Sequence, residues 1–296
     1  MNTKLKFSIL LILWAIAFIP VYPSLFHTWL NHSNNSHGIL VPLISVYFIW
    51  QKRKELRQVK VSNSNWGALI LIFSMVLYLL SYAGAVAVIS RAMIVFSLIG
   101  LVLFTLGTTF FKLLAFPLFF LLFIVPVPDS IVGVVALPLQ LFATNISSFV
   151  IQALSLPVYQ EGNMLYFTQT QLEVAEACSG IRSLVSLTML SVIFAYMCNK
   201  GWIRKAMLLA SAIPLALFAN ILRVSGTGVL AHFYGETVAR GFLHEFSGLA
   251  VFAFGFVLLF LEYSLLNRSV DHENRKERGS PQRRGGRREG TFFSSR

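Results

Sequence analysis

The sequence predicts an all-α, polytopic membrane protein: eight transmembrane helices, one helix that is interfacial or re-entrant and does not cross, and a small extracytoplasmic hairpin. Two observations carry that reading. Of 296 residues, 56% are hydrophobic and only 12% charged, whereas soluble domains carry about 25% charged residues. The Lys and Arg behind the net charge of +12 gather at Lys4 and Lys6, Lys52 to Lys60, Lys200 to Lys205, and from Arg268 onward. Those positions flank apolar runs, as cytoplasmic loops do. The same distribution excludes a nucleic-acid partner and leaves lipid as the natural surroundings, since no basic face or reading motif accompanies the charge.

The first span, Phe7 to Val21, follows a basic start, and no small-residue cleavage site follows it. A polar loop ends in Ser36-His37-Gly38, and a short second span from Gly38 to Trp50 returns to the basic cluster. Spans three to five are Trp66 to Ala83, Ala92 to Leu106 and Leu113 to Val127, the last stopped by Pro126-Val127-Pro128-Asp129. Ile131 to Leu154 is apolar but interrupted by Pro138, Gln140, Thr144, Asn145, Ser147, Ser148 and Gln152. Leu156 to Val174 alternates and carries Pro157 and Gly162, which predicts the hairpin. Ile181 to Met197, Ala206 to Leu222 and Leu249 to Leu266 complete the spans.

Charge decides the awkward segment. With Lys200 to Lys205 and the tail cytoplasmic, counting from either end agrees only if Ile131 to Leu154 stays on one side. Both termini are then cytoplasmic. Residues 7–266 form one transmembrane domain, and 267–296 a basic, disordered cytoplasmic tail.

This topology gathers chemistry on the outer face. Cys178, in Glu176-Ala177-Cys178-Ser179-Gly180-Ile181-Arg182-Ser183, opens the sixth span. Arg223, in Asn220-Ile221-Leu222-Arg223-Val224, ends the seventh; His244 precedes the eighth, and His37 the second. A thiolate is favoured at a helix N-terminus, where Ser179 and Gly180 leave the backbone N–H groups open to an oxyanion. A guanidinium offers two parallel donors to such an oxyanion, and an imidazole can protonate a leaving amine. Set against this, a lone membrane cysteine is ordinarily packing, a terminal arginine snorkels, and an interfacial histidine is solvated. Asp129, Glu173, Glu176, Glu236 and Glu245 are scattered as loop residues are. His37, His232 and His244 lack metal-ligand spacing. Cys178 and Cys198, about 30 Å apart along one helix, cannot form a disulfide, and Cys198 reads as structural.

The Cys178 block, the Asn220 to Val224 block, His244 with Gly248, Ser36-His37-Gly38 with Val41-Pro42, and Pro126-Val127-Pro128 together resemble the exosortase family of bacterial membrane enzymes. The likeness spans roughly residues 10 to 266. It implies a sortase-like cysteine peptidase or transpeptidase of the inner membrane with its active site facing the periplasm. The implied substrates are exported proteins with a C-terminal sorting signal of the PEP-CTERM type: a Pro-Glu-Pro motif, a transmembrane helix and a basic tail. Such proteins are tied to exopolysaccharide and biofilm matrix, and a polysaccharide or amine is the implied acceptor. By position, Cys178 is the nucleophile that forms an acyl-thioester, Arg223 the oxyanion or thiolate stabiliser, and His244 the general acid/base. Ser179, Gly180, Asn220 and His37 support them, and no cofactor or metal is expected. The rival reading is a non-enzymatic transporter or flippase of an exopolysaccharide system. Against it, spans three to five carry almost no polar residues at mid-depth.

Overall fold

A computed structural model describes residues 3–168, 170–174, 180–198, 201–235 and 242–279. The chain is helical from end to end apart from one small sheet. Helices α1 (Thr3–Ala17) and α2 (Tyr22–Asn31) meet at a 67° bend. Pro23 starts α2, where its missing N–H costs nothing. The Ala17 carbonyl, at the end of α1, accepts a hydrogen bond from Tyr78 Oη at 3.0 Å. A 3-10 turn, Ser33–Ile39, leads into α3 (Leu40–Gln51) and the exposed basic helix α4 (Arg53–Gln58).

Helices α5 (Asn65–Ala83) and α6 (Ala87–Thr105) form a close hairpin. Gly100 brings the backbones together: a methyl group there would lie 2.6 Å from the Leu71 nitrogen. Helix α7 (Thr108–Phe120) continues as a 3-10 turn, Leu121–Ile124. The buried Ser45 hydroxyl donates to the Pro117 carbonyl at 3.1 Å and ties α3 to α7. Phe18, Val41, Val95, Leu118 and Phe120 are nearly inaccessible and centre the core of this half.

The second half comprises α8 (Asp129–Ala153), a sheet, α9 (Ile181–Met197), α10 (Trp202–Tyr234) and α11 (Phe242–Gly279). Strands β1 (Val158–Glu161), β2 (Met164–Phe167) and β3 (Gln171–Glu173) pair antiparallel in that order. The expected hairpin is therefore a three-stranded meander; its inner residues Leu165, Phe167 and Leu172 pack with Ile151 and Val224.

Several expectations need correction. Among the described residues five helices are long and apolar enough to cross a membrane, or six if the bent α1–α2 pair counts, which supports a polytopic helical protein without confirming a count of eight. The 17-residue stretches Thr108–Ile124 and Ile181–Met197 and the 12-residue α3 are apolar but shorter than these. Helix α8 is one of the five by length and composition and runs unbroken for 25 residues. The polar residues that argued against crossing form a buried stripe: Gln140, Thr144, Ser147 and Ser148 are each at most 6% exposed. Their spacing is that of one helix face. Ser147 Oγ donates to the Ile221 carbonyl of α10 at 3.3 Å, so that face meets protein and not lipid.

Helix α10 does not end at Arg223 but runs 33 residues, to Tyr234. Val224 is buried against the sheet, and Gly228 faces Ile151 and Phe167, so tertiary packing carries the helix past the arginine. Helix α11 begins before Leu249 and extends beyond Asn267, so the start of the expected disordered tail is helical, while residues 280–296 lie outside the described residues. Cys198 is fully buried between α9, α10 and α11, and its Sγ donates to Asn267 Oδ1 at 3.6 Å.

Candidate functional site

A cavity of about 370 Å³ opens where the 3-10 turn Ser33–Ile39, α9, α10 and α11 converge. His37 and Ser36 line it from the turn, Arg182, Ser183, Ser186 and Met189 from α9, Arg223 from α10, and Gly248, Leu249 and Phe252 from α11. Two guanidiniums, an imidazole and three hydroxyls thus share one space walled in part by apolar side chains. Such a space strengthens every electrostatic contact made inside it.

Local sequence explains how each wall is placed. Gly180 is the residue before α9 and adopts φ +82°, a left-handed conformation open to glycine. Its carbonyl accepts the first helical bond, from Leu184 N at 2.7 Å. The turn is pressed against α10: a methyl group on Gly180 would lie 3.1 Å from Asn220 Cγ. Asn220 is 1% exposed and sits one helical turn before Arg223 on α10. Gly248 serves the same end on α11. A methyl group there would lie 3.7 Å from Arg223 Nη2, so the guanidinium rests beside bare backbone.

On the far wall, Gly38 lies directly beneath the Trp29 indole, with no room for a side chain. Trp29 Nε1 donates to the Ile124 carbonyl at 3.0 Å in a buried hydrogen bond. That bond clamps the turn carrying His37, which is only 8% exposed. Burial holds the His37 imidazole below its usual pKa, with a bond to the Asn34 backbone pulling the other way. The neutral ring is the favoured form.

The structure therefore brings together Arg223, His37 and, through Asn220, Gly180. Cys178 and Ser179 lie outside the described residues. His244 falls in the first turn of α11, one turn before Gly248, and its side chain lies outside what is described. Arg182 lines the same cavity, which the sequence reading left open. Ser186 was missed; the signal was available as polar residues at three-residue spacing, Ser183 and Ser186, on an otherwise apolar helix. His232 packs against Phe167 and Phe233 instead, and Glu173 is exposed on β3. Among the described residues no three His, Cys, Asp or Glu side chains group as metal ligands would.

The order of these elements matches a known family. A family model described as transmembrane exosortase fits residues 29–261. The chain belongs to the transmembrane exosortase family. The matched stretch begins at Trp29, which clamps the His37 turn, and ends in α11 beyond Gly248, so every wall of the cavity falls within it. No curated protein and no solved structure matches the chain. Exosortases generally act as peptidases or transpeptidases, and the long apolar helices agree with a membrane protein of that kind.

Proposed function

We propose that this exosortase is a cysteine peptidase or transpeptidase that cleaves the C-terminal sorting signal of exported proteins. Its substrates are of the PEP-CTERM type, and the work serves exopolysaccharide or biofilm matrix. The supporting observation is that Gly180, two residues after Cys178 in the sequence, packs against Asn220, one helical turn before Arg223. The cavity beyond it joins Arg223 to the helix that carries His244.

In this reading the tail helix of the substrate lies against the bundle in lipid and offers its peptide bond at the periplasmic face of the inner membrane. The Cys178 thiolate attacks the carbonyl carbon, and Arg223 holds the negative charge that develops on oxygen. The C–N bond breaks, and His244 gives its proton to the departing amine. The acyl-thioester on Cys178 is then resolved by water, an amine or a glycan hydroxyl. Both termini lie in the cytoplasm.

A reporter fused to a Pro-Glu-Pro motif, an apolar helix and a basic tail tests this in membranes. Cleavage is expected with the wild type and lost with Cys178→Ala and Cys178→Ser. Undiminished cleavage by both variants would overturn the proposal.

A further inference from the structure

A second site lies away from the cavity, where α2 crosses the start of α6. Arg91 stands one turn inside α6, at the end joined to α5 by a tight turn. The 67° bend after α1 carries α2 across it. Arg91 Nη2 donates to the Ser24 carbonyl at 3.4 Å, to Ser24 Oγ at 3.4 Å and to Thr28 Oγ1 at 3.2 Å. Both hydroxyls have already given their protons within α2, Ser24 to the Val21 carbonyl and Thr28 to the Ser24 carbonyl. They therefore orient the guanidinium without neutralising it.

The charge is otherwise unanswered. Among the described residues the one salt bridge joins Lys52 to Glu55, at α4. Arg91 Nε is buried and makes no hydrogen bond; Nη1 makes none either, but it is not enclosed. One terminal amine of the planar fork is thus fixed by α2, and the other is left open.

An apolar groove runs along α6 from this point. Ile94, Val95 and Leu98 share the helix face of Arg91 and line a cavity of about 510 Å³. Leu25, Phe26 and Trp29 of α2 form the facing wall. A cation at the head of an apolar trough, in a chain built for lipid, matches a ligand with an anionic headgroup and a hydrocarbon chain.

We propose that Arg91 and this groove bind one anionic phospholipid. The phosphate accepts a charge-assisted hydrogen bond from Arg91 Nη1, and an acyl chain lies between α2 and α6 against Leu25, Ile94 and Leu98. The chain backs onto Trp29, whose indole covers Gly38 and is bonded to the Ile124 carbonyl. The bound lipid thus braces, from outside the cavity, the turn that carries His37.

The full chain in phosphatidylcholine nanodiscs tests this through its own fluorescence. Of five tryptophans, Trp14 and Trp29 line the groove, while Trp50, Trp66 and Trp202 are exposed and are replaced by Phe. Phosphatidylglycerol or phosphatidylcholine with brominated chains, which quench tryptophan on contact, is titrated in. Phosphatidylglycerol is expected to quench at about a tenfold lower mole fraction, the discrimination of one hydrogen bond to a charged group. Arg91→Gln is expected to erase that difference and Arg91→Lys to keep part of it. Soluble glycerol phosphate, with the headgroup charge and no chain, is expected to leave the quenching unchanged; displacement by it would overturn the proposal. Equal quenching by the two lipids with Arg91 intact overturns it too, as does a difference that survives in Arg91→Gln. Quenching by neither lipid also overturns it, and assigns the groove to a protein helix. The comparison of lipids needs no change at Arg91, so it stands even where Arg91→Gln fails to fold.

Discussion

Gly180 packs its bare Cα against the Asn220 side chain, 3.1 Å from Asn220 Cγ to where a methyl group would sit, while held at φ +82°. Two separate constraints thus demand glycine at the junction between the Cys178 segment and α9. Gly180→Ala must either strain the left-handed turn, at roughly 1–2 kcal/mol, or push residue 180 off α10. The expected result is a lower melting temperature in detergent together with at least a tenfold loss of reporter cleavage, since small misplacements of reacting groups are costly. Cleavage at the wild-type level would show that this contact does not position the nucleophile.

Arg223 and Gly248 make a graded pair. Arg223→Ala is expected to slow thioester formation by about 10²–10³, the usual loss for one oxyanion donor. Arg223→Lys is expected to recover only part of it, because an ammonium lacks the paired planar donors. A methyl group at Gly248 meets the guanidinium at 3.7 Å, an ordinary contact, so Gly248→Ala should be nearly silent. Gly248→Leu fills the cavity and displaces the arginine, and should lower cleavage with little change in melting temperature. Stopped-assay rates for the four variants check the order.

The buried His37 makes stability depend on pH in a definite direction. Its folded-state pKa is lowered by burial, so the unfolded chain binds a proton that the folded one resists. The stabilising contribution is complete above the ordinary histidine value of about 6.5. It is lost as pH falls from there toward the lower folded-state value. Melting curves between pH 7.5 and 5 should therefore fall more steeply for the wild type than for His37→Gln. Parallel curves would contradict a neutral, buried ring.

Orientation is open to a direct chemical test. In a chain with Cys178 and Cys198 replaced by Ser, a cysteine at Glu161, exposed at the end of β1, should react with an impermeant maleimide on intact spheroplasts. A cysteine at Lys54, exposed on α4, should react only after permeabilisation. The reverse pattern would place the sheet, and the cavity beside it, in the cytoplasm.

The sequence was most legible where local chemistry decides the structure. The apolar runs of α5 and α6 and the alternation through β1 and β2 declare themselves without tertiary help. So does the Ser-Gly-Ile-Arg entry to α9, where a glycine before an apolar run marks a turn. Arg223 looked like a helix end because a charge usually stops a span; Val224 and Gly228, covered by β2 and α8, carry α10 onward. Gln140, Thr144, Ser147 and Ser148 looked like breaks for the same reason, since burial against α10 is not a local property. The convergence of His37 on Arg223 was only suggested by a shared face. It depends on Trp29 closing over Gly38, a contact between neighbouring elements that no periodicity encodes.

The central claim is that Cys178 carries the substrate as a thioester. The full chain is incubated with the Pro-Glu-Pro reporter, acid-quenched within a turnover, digested and read by mass spectrometry. The account predicts an acyl adduct on the Cys178 peptide that hydroxylamine removes and that is missing from Cys178→Ala. Cleaved reporter with no adduct at any time point, and equal cleavage by Cys178→Ala, would contradict it.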